Sequence, residues 1–498
     1  MRTLVPAETL VYLETNDLAA ALQPIVDAKP FMEVAKSKPD FSALEGVQLA
    51  VAVTGFETSE EKLTDEHSVG RVQPRFVAVA ETHAWNYQAV KFAELKLGAF
   101  VANIYDSEPT LEKSDKSGGK YFTWTATDGR KAFALVIDSI IYFGNDESAI
   151  EKCLAVKRGE TDSILKTGKI PVASPEVLAS GYVSTDGIAQ IAGLAGLKFA
   201  SEAGEESEVQ SAIAGILPQL IRNSITEISW TSTKTEKGIE DKYTIGMPSE
   251  ISSVFSETMA VGEHDDSSSF DWLPVDVTTA TRYNFKNPQV AWRSLLLVLQ
   301  KPLDPAAAQT LLAYSGLFFE PYGISDPEMF LSSGASGITT ANFSAGGDKP
   351  VLRIATFIDE GKLHSSLLRD LRQQRSDSSR HTDDGEIAAV QMDMRFISGD
   401  AETVRSLYQF YVGNDKKNTL ADAVPANLGK GAAIFTSGHE LNSEYSPLIN
   451  ILTTSSENTS PRSISYLTET RFTKTGIDRR TISDFGLIGS IIAQISSD

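Results

Sequence analysis

The sequence predicts an α+β protein of two duplicated domains, each a mainly antiparallel sheet with helices packed on one face. Three observations lead there. The stretch Val5–Leu22 has a second version at Leu273–Leu295, and both run through a proline, an acidic residue, a β-rich segment and an Asn/Asp cap into an apolar helix. The elements after each copy recur in the same order and end in hairpins that share Gly238-Ile239-Glu240 and Gly476-Ile477-Asp478. Finally, 498 residues exceed the roughly 250–300 at which a single core stops growing. The boundaries drawn are 1–262 for the first repeat, 263–271 for an acidic, serine-rich linker, and 272–498 for the second repeat.

Taken in order, Thr9–Thr15 carries Val, Tyr and Leu at strand density, and Asn16 or Asp17 caps the helix that follows. Pro24 falls inside that helix and predicts a kink or break. Val47, Leu49, Val51 and Val53 alternate as a half-buried strand, Glu57–Gly70 reads as a polar loop, and Pro74 opens the return strand Arg75–Ala80. Asn86–Leu97 is helical. Strands follow at Ala102–Tyr105, Tyr121–Ala126, Ala132–Val136 and Ile140–Phe143, with turns at Gly118-Gly119 and Asp128-Gly129. Asp146 caps the helix carrying Cys153. Tyr182–Thr185 is a short strand, Gly187–Leu220 is one or two Gly/Ala-rich helices, and Ile225–Thr231 pairs with Ile239–Ile245.

In the second repeat, Gly337–Phe343 and Val351–Phe357 answer the first hairpin across a turn at Ala345–Asp348, and Leu363, Leu367 and Leu371 form the next helix face. After the polar loop Arg372–Gly385, Ile387–Gly399 and Asp400–Val412 answer Ala132–Asn145 and Asp146–Lys157. Ser463–Thr470 and Ile477–Ser483 close the chain. The copies differ most where the first has Gly187–Leu220 and the second the shorter, more polar Ser437–Ile451.

Composition narrows the function. A formal charge of −21 makes the surface as a whole a poor partner for phosphate backbones or anionic lipid, and no nucleic-acid partner is expected. No apolar run reaches the roughly 18 residues of a membrane span, and no leader is visible ahead of the first strand. One cysteine, Cys153, excludes an intrachain disulfide, and its place on an apolar helix face marks it as a buried hydrophobe. Six histidines, His67, His83, His264, His364, His381 and His439, lack metal-site spacing. The dense clusters Glu263-His264-Asp265-Asp266 and His381-Thr382-Asp383-Asp384 sit in loops.

Motifs of catalysis fail on spacing. Ser163-Ile164-Leu165-Lys166 overlaps Lys166-Thr167-Gly168, whereas Ser-x-x-Lys chemistry needs the two on separate elements. Gly118-Gly119-Lys120 is a turn rather than a phosphate loop, and Gly334–Gly337 lacks the nucleophile-elbow spacing. Asn342-Phe343-Ser344 and Asn458-Thr459-Ser460 satisfy the glycan acceptor pattern only. No catalytic, cofactor-binding or metal residue is therefore assigned, and no cofactor is expected. Two apolar features remain for binding: Leu317-Phe318-Phe319 with Tyr322, and the helix side Ile188, Ile191, Leu194 and Leu197.

Pro-x-(Asp/Glu)-Thr leading to a strand and capped helix, Tyr322-Gly323-Ile324-Ser325-Asp326, and a strand ending before an Asp-capped helix together resemble a family of bacterial cell-envelope proteins of undefined function. The resemblance implies an exported or periplasmic location, although no leader is visible, and brings no catalytic residues. The expectation is a non-catalytic envelope binding or scaffold protein with a protein partner. The alternatives are a carrier of a lipid or other apolar ligand in a cleft of the sheet, and a carboxylate-dependent hydrolase.

Overall fold

A computed structural model describes the chain apart from residues 36–37, 63–67, 106, 172–173, 175, 203–207, 262–269, 276, 323, 325, 333–336, 345–351, 359–380, 383–384, 393–394, 413–418, 425–428, 441–444, 446–447, 450–451, 453–463 and 496–498. Several expectations lie outside the described residues: most of the 263–271 linker, the turn at 345–348, the Leu363/Leu367/Leu371 helix face and most of the Arg372–Gly385 loop.

The α+β class holds. Its strands are β1 (Val11–Thr15), β2 (Gln48–Lys62), β3 (Ser68–Glu81), β4 (Thr110–Lys116), β5 (Gly119–Thr125), β6 (Lys131–Ile137), β7 (Ile140–Gly144), β8 (Val177–Val183), β9 (Glu227–Thr235) and β10 (Gly238–Gly246). They continue as β11 (Thr279–Asn284), β12 (Gly337–Phe343), β13 (Leu352–Ile358), β14 (His381–Thr382), β15 (Gly385–Met392), β16 (Arg395–Asp400), β17 (Ile434–Glu440), β18 (Ile464–Thr473) and β19 (Gly476–Ser483).

All pairings are antiparallel, and they join the strands in one line: β4-β5-β6-β7-β3-β2-β1-β8-β9-β10, then β19-β18-β17-β11-β12-β13-β16-β15-β14. The junction is β10 against β19, and outward from it the order of connections is the same on both sides. Lys242 pairs with Arg480 at its centre.

The turn of the last hairpin is built alike in the two halves. Thr235 Oγ1 donates to the Gly238 carbonyl and accepts from Lys237 N–H; Thr473 Oγ1 donates to the Gly476 carbonyl and accepts from Thr475 N–H. At the junction, a Cβ on Gly238 would run into the carbonyl of Ser483, and one on Gly476 into the carbonyl of Ile245. The strands approach so closely that both matching positions demand glycine.

The helices following β10 and β19 cross over. Ser249–Thr258, which leaves β10, lies on β18 and β19, where Phe255 stacks on Phe472 with centroids 4.5 Å apart and Ser252 Oγ donates to the Lys474 carbonyl. Gly486–Ile495, which leaves β19, lies on β10, with Phe485 and Ile488 packed among Trp230 and Ile239. Each half thus covers part of the other's sheet.

Helices cover both faces rather than the single face expected. Tyr12, Ala50, Ala52, Val77, Val79, Leu135 and Tyr142 meet the helix Glu147–Lys157, while Phe122, Trp124, Ala134, Ile141 and Phe143 meet the helical segment 86–104 on the opposite side. In β7, successive residues Ile141, Tyr142 and Phe143 alternate between the two cores, because side chains of a strand alternate faces.

The structure corrects several element assignments. The first helix, Leu18–Asp27, runs through Pro24 and stops only at Ala28, because burial of Pro24 with Ala21, Leu22, Ile25 and Val26 outweighs one lost hydrogen bond. Its cap is Asp17, which accepts from Ala20 N–H at 3.0 Å. The polar stretch Glu57–Gly70 is mostly ladder, with Ser59 opposite Arg71, so Pro74 lies inside β3 rather than at its start. Ala102–Tyr105 is not a strand. Its first three residues end a helix that continues past Gly98, where a Cβ would lie 3.2 Å from Trp124 Nε1, so the glycine admits the indole. The strand expected at Tyr182–Thr185 is β8, and Thr185 opens the helix Thr185–Glu202. Ser437–Ile451 begins in β17, the counterpart of β8. The Asp caps at Asp146 and Asp400 are as expected, accepting from Ser148 and Thr403 N–H.

Candidate functional site

Helices from both halves meet in one apolar layer. In the second half, Asn287 accepts from Val290 N–H and Pro288 occupies the first turn, starting the helix Pro288–Gln300. Asp304 then caps Pro305–Tyr314 by accepting from Ala306 and Ala307 N–H, which holds its carboxyl below the usual range. The first half contributes the helix Glu208–Ser224, which follows the acidic interruption of the Gly/Ala-rich stretch. Ile216 and Leu220 pack with Leu296, Leu299, Leu303, Ala307 and Leu311, and Lys301 pairs with Glu250 at 3.0 Å.

The chain then turns through Ser315–Phe318 and Glu320–Tyr322. Phe319 sets its ring edge-on against Trp292, centroids 5.1 Å apart, and against Phe330. Arg293 and Gln289 both bind Glu328, tying the helix Pro327–Ser332 beneath. Phe318, by contrast, points outward at 58% exposure, and Leu297 at 64%, with Val290, Leu312 and Ile191 also exposed. The two apolar features singled out in the sequence therefore divide: Phe319 and Ile188 pack inward, while Phe318 and Ile191 face solvent.

Charged groups gather at the junction. Arg480 of β19 donates through Nε to Glu240 Oε2 at 2.6 Å and through Nη1 to Glu469 Oε2 at 3.2 Å, while Lys242 pairs with Glu240. Gly429 N–H donates to the other oxygen of Glu469. Burial pushes Glu240 up, but bonds from Lys242 and Arg480 more than offset it and hold the carboxyl below its usual range. A hydrolase using two carboxylates needs their proton affinities driven apart; here one guanidinium binds both.

On the opposite face, Asp241 is buried, accepts from Ser232 Oγ, and accepts from Leu487 N–H at 2.8 Å. It anchors the start of the crossed-over helix, and burial raises its pKa. A third network joins Arg2, Tyr12 and Ser180 on Glu14, which is thereby fully engaged.

The remaining sequence motifs are dispersed. Ser163 is buried beside Pro6, and Lys166 turns out to Asp162. The second Lys-Thr-Gly lies in the β18–β19 turn. Gly118-Gly119-Lys120 makes a hairpin turn, with Lys120 on Asp115. Asn342 stands within β12, between two strands. Burial pushes the Cys153 thiol up to about 12, leaving it unreactive. His67, His264, His364 and Asn458 lie outside the described residues, as do Gly334–Ser336. Among the described residues, no group of three or more His, Cys, Asp or Glu could hold a metal, and no helix is long and apolar enough to cross a membrane.

Sequence reasoning missed the helix Ser249–Thr258, strand β4 and the role of Arg480. The signal for the junction was the repeated Thr-x-x-Gly turn. No family model matches the chain, and neither the curated proteins nor the solved structures contain a match.

Proposed function

We propose that this chain is a non-catalytic binding or scaffold protein, arisen by duplication of one α+β unit, that takes a protein partner on the helical layer. One observation carries the reading: helices of both halves are fastened into a single layer that leaves Leu297, Leu312 and Val290 exposed, with Phe318 exposed on the turn that follows. Large exposed apolar side chains grouped on a rigid support are the usual signature of an interaction surface. The matching hairpins and the mirrored order of pairings support the duplication. A place in the bacterial cell envelope is proposed from the sequence resemblance.

The carrier of an apolar ligand is the second reading. The run Leu295–Leu299 is only partly buried between neighbouring helices, which suits a site that an apolar molecule completes.

Native mass spectrometry of the chain purified gently from its host separates these. A protein complex abolished by Leu297→Asp with Phe318→Ser, at unchanged circular dichroism, supports the scaffold. A bound apolar molecule of defined mass supports the carrier. A bare wild-type chain removes the layer as a binding surface.

A further inference from the structure

A second exposed surface, far from that layer in the sequence, has a different chemistry. The segment 86–104 forms one continuous helical rod, α-helical over Asn86–Phe92, π-helical over Ala93–Leu97 and α-helical again over Gly98–Ile104. Ala89, Ala93 and Val101 are buried against Phe122, Trp124 and Phe143. After Asn86, its exposed positions come in pairs four residues apart: Tyr87-Gln88, Lys91-Phe92, Leu95-Lys96, Ala99-Phe100 and Asn103-Ile104.

An ordinary α-helix of 3.6 residues per turn would let a four-residue repeat wander around the rod. The wider π segment brings the mean repeat closer to four, so the stripe runs straighter along one side. Trp85, 76% exposed, and Tyr87, 68% exposed, stand at its start.

Charge selects the occupant. Those ten paired positions hold two lysines and no acid, although the whole chain carries 66 acids against 45 bases. The one acid of the rod, Glu94, is turned away to Lys113 at 2.7 Å. Among the described residues, no ion pair involves Lys91 or Lys96. Aromatic and aliphatic side chains interleaved with lysine on a convex helix match the interface of a bilayer bearing anionic headgroups: rings and leucine enter the acyl boundary and lysines stay at the phosphates. The acidic remainder of the molecule would be held away from the same surface, fixing its orientation.

We propose that the outer stripe of segment 86–104, from Trp85 to Ile104, is a contact for an anionic lipid surface. The proposal uses none of the residues of the helical layer, so either can fail without the other.

Flotation of the full chain with vesicles of phosphatidylcholine alone, and of phosphatidylcholine mixed with phosphatidylglycerol, tests it. The expected result is binding to the mixed vesicles only, weakening with salt, with a blue shift in tryptophan emission that Trp85→Phe removes. Lys91→Gln and Lys96→Gln should each lower the partition about 5-fold, and Trp85→Ser with Leu95→Ser should abolish it. All four positions are exposed, and an unchanged melting curve confirms that each variant folds. Absence of binding to the mixed vesicles overturns the proposal, as does binding indifferent to these substitutions. It is equally overturned if light scattering shows a dimer of this chain that the same substitutions dissociate, since the stripe would then join two copies.

Discussion

The first helix of each half begins the same way and ends up in a different environment. Leu18–Asp27 and Pro288–Gln300 both follow the opening strand and both start from an Asp or Asn side chain that accepts a backbone N–H. Yet six of the ten residues of Leu18–Asp27 are buried, against two of thirteen in Pro288–Gln300, although the latter contains the run Leu295–Leu299. The first is sealed by Phe31, Tyr445, Leu448 and the crossed-over helix with Phe485. The second has helices beside it and leaves Val290 and Leu297 open. A shared sheet thus fixes where helices start, while the segments laid over them decide whether an apolar face becomes core or surface.

The sharpest way to break the equivalence of the halves is at the junction they share. Gly476→Ala places a Cβ against the Ile245 carbonyl at φ +150°, and Gly238→Ala does the same against Ser483 at φ +126°. Neither obstacle is a flexible side chain, so the strands themselves must part. Each substitution should cost about 4 kcal/mol, measured by urea denaturation, and the pair should be less than additive because both open the same ladder. Full additivity would mean that β10 and β19 do not act as one junction.

Next in size is the contrast between the helices themselves. Ile25 is fully buried, so Ile25→Ala should cost about 3 kcal/mol. Leu297→Ala removes a larger side chain than alanine from a site 64% exposed and should stay within about 0.5 kcal/mol. Equal losses would show that an unseen cover buries Leu297 in solution, and would turn the apolar layer from a binding surface into core.

Much of this frame was legible because it rests on local rules. Asp17, Asp146 and Asp400 announce helix starts by capping, and Ala132–Val136 and Ile140–Phe143 by strand composition. What escaped lacks local signal. Strand β4, Thr110–Lys116, is almost wholly polar and shows no apolar alternation; Ser249–Thr258 is rich in serine. The partner of Arg480 lies 240 positions away at Glu240, a distance over which no periodicity reports. At the candidate site, composition drew attention to Leu317-Phe318-Phe319, but only packing assigns Phe319 to Trp292 and Phe318 to solvent.

The smallest effect tests one position at which the two last hairpins differ. Asp241 anchors the helix Gly486–Ile495, whereas Arg479, its match in the second hairpin, cannot accept a helix N–H, and Ser249–Thr258 begins without a side-chain cap. Asp241 and Glu240 are sequence neighbours on opposite faces, and their pKa values move in opposite directions. A carboxyl raised by burial binds its proton more tightly folded than unfolded. Its contribution is fully present below the ordinary value of 3.8 and is lost as pH rises through the folded value. Glu240, lowered net by its cations, contributes above 4.5 and loses that contribution as pH falls through its folded value. The melting temperature of the wild type relative to Asp241→Asn should therefore rise as pH is lowered from 7 toward 4, and relative to Glu240→Gln it should fall as pH is taken below 4.5. Each change is expected to be about 1 kcal/mol, since Asn still accepts from Leu487 and Arg480 is partly solvated. Two profiles of the same slope would mean that the two faces of β10 share one environment, and that the crossed-over helix does not seal Asp241 from water.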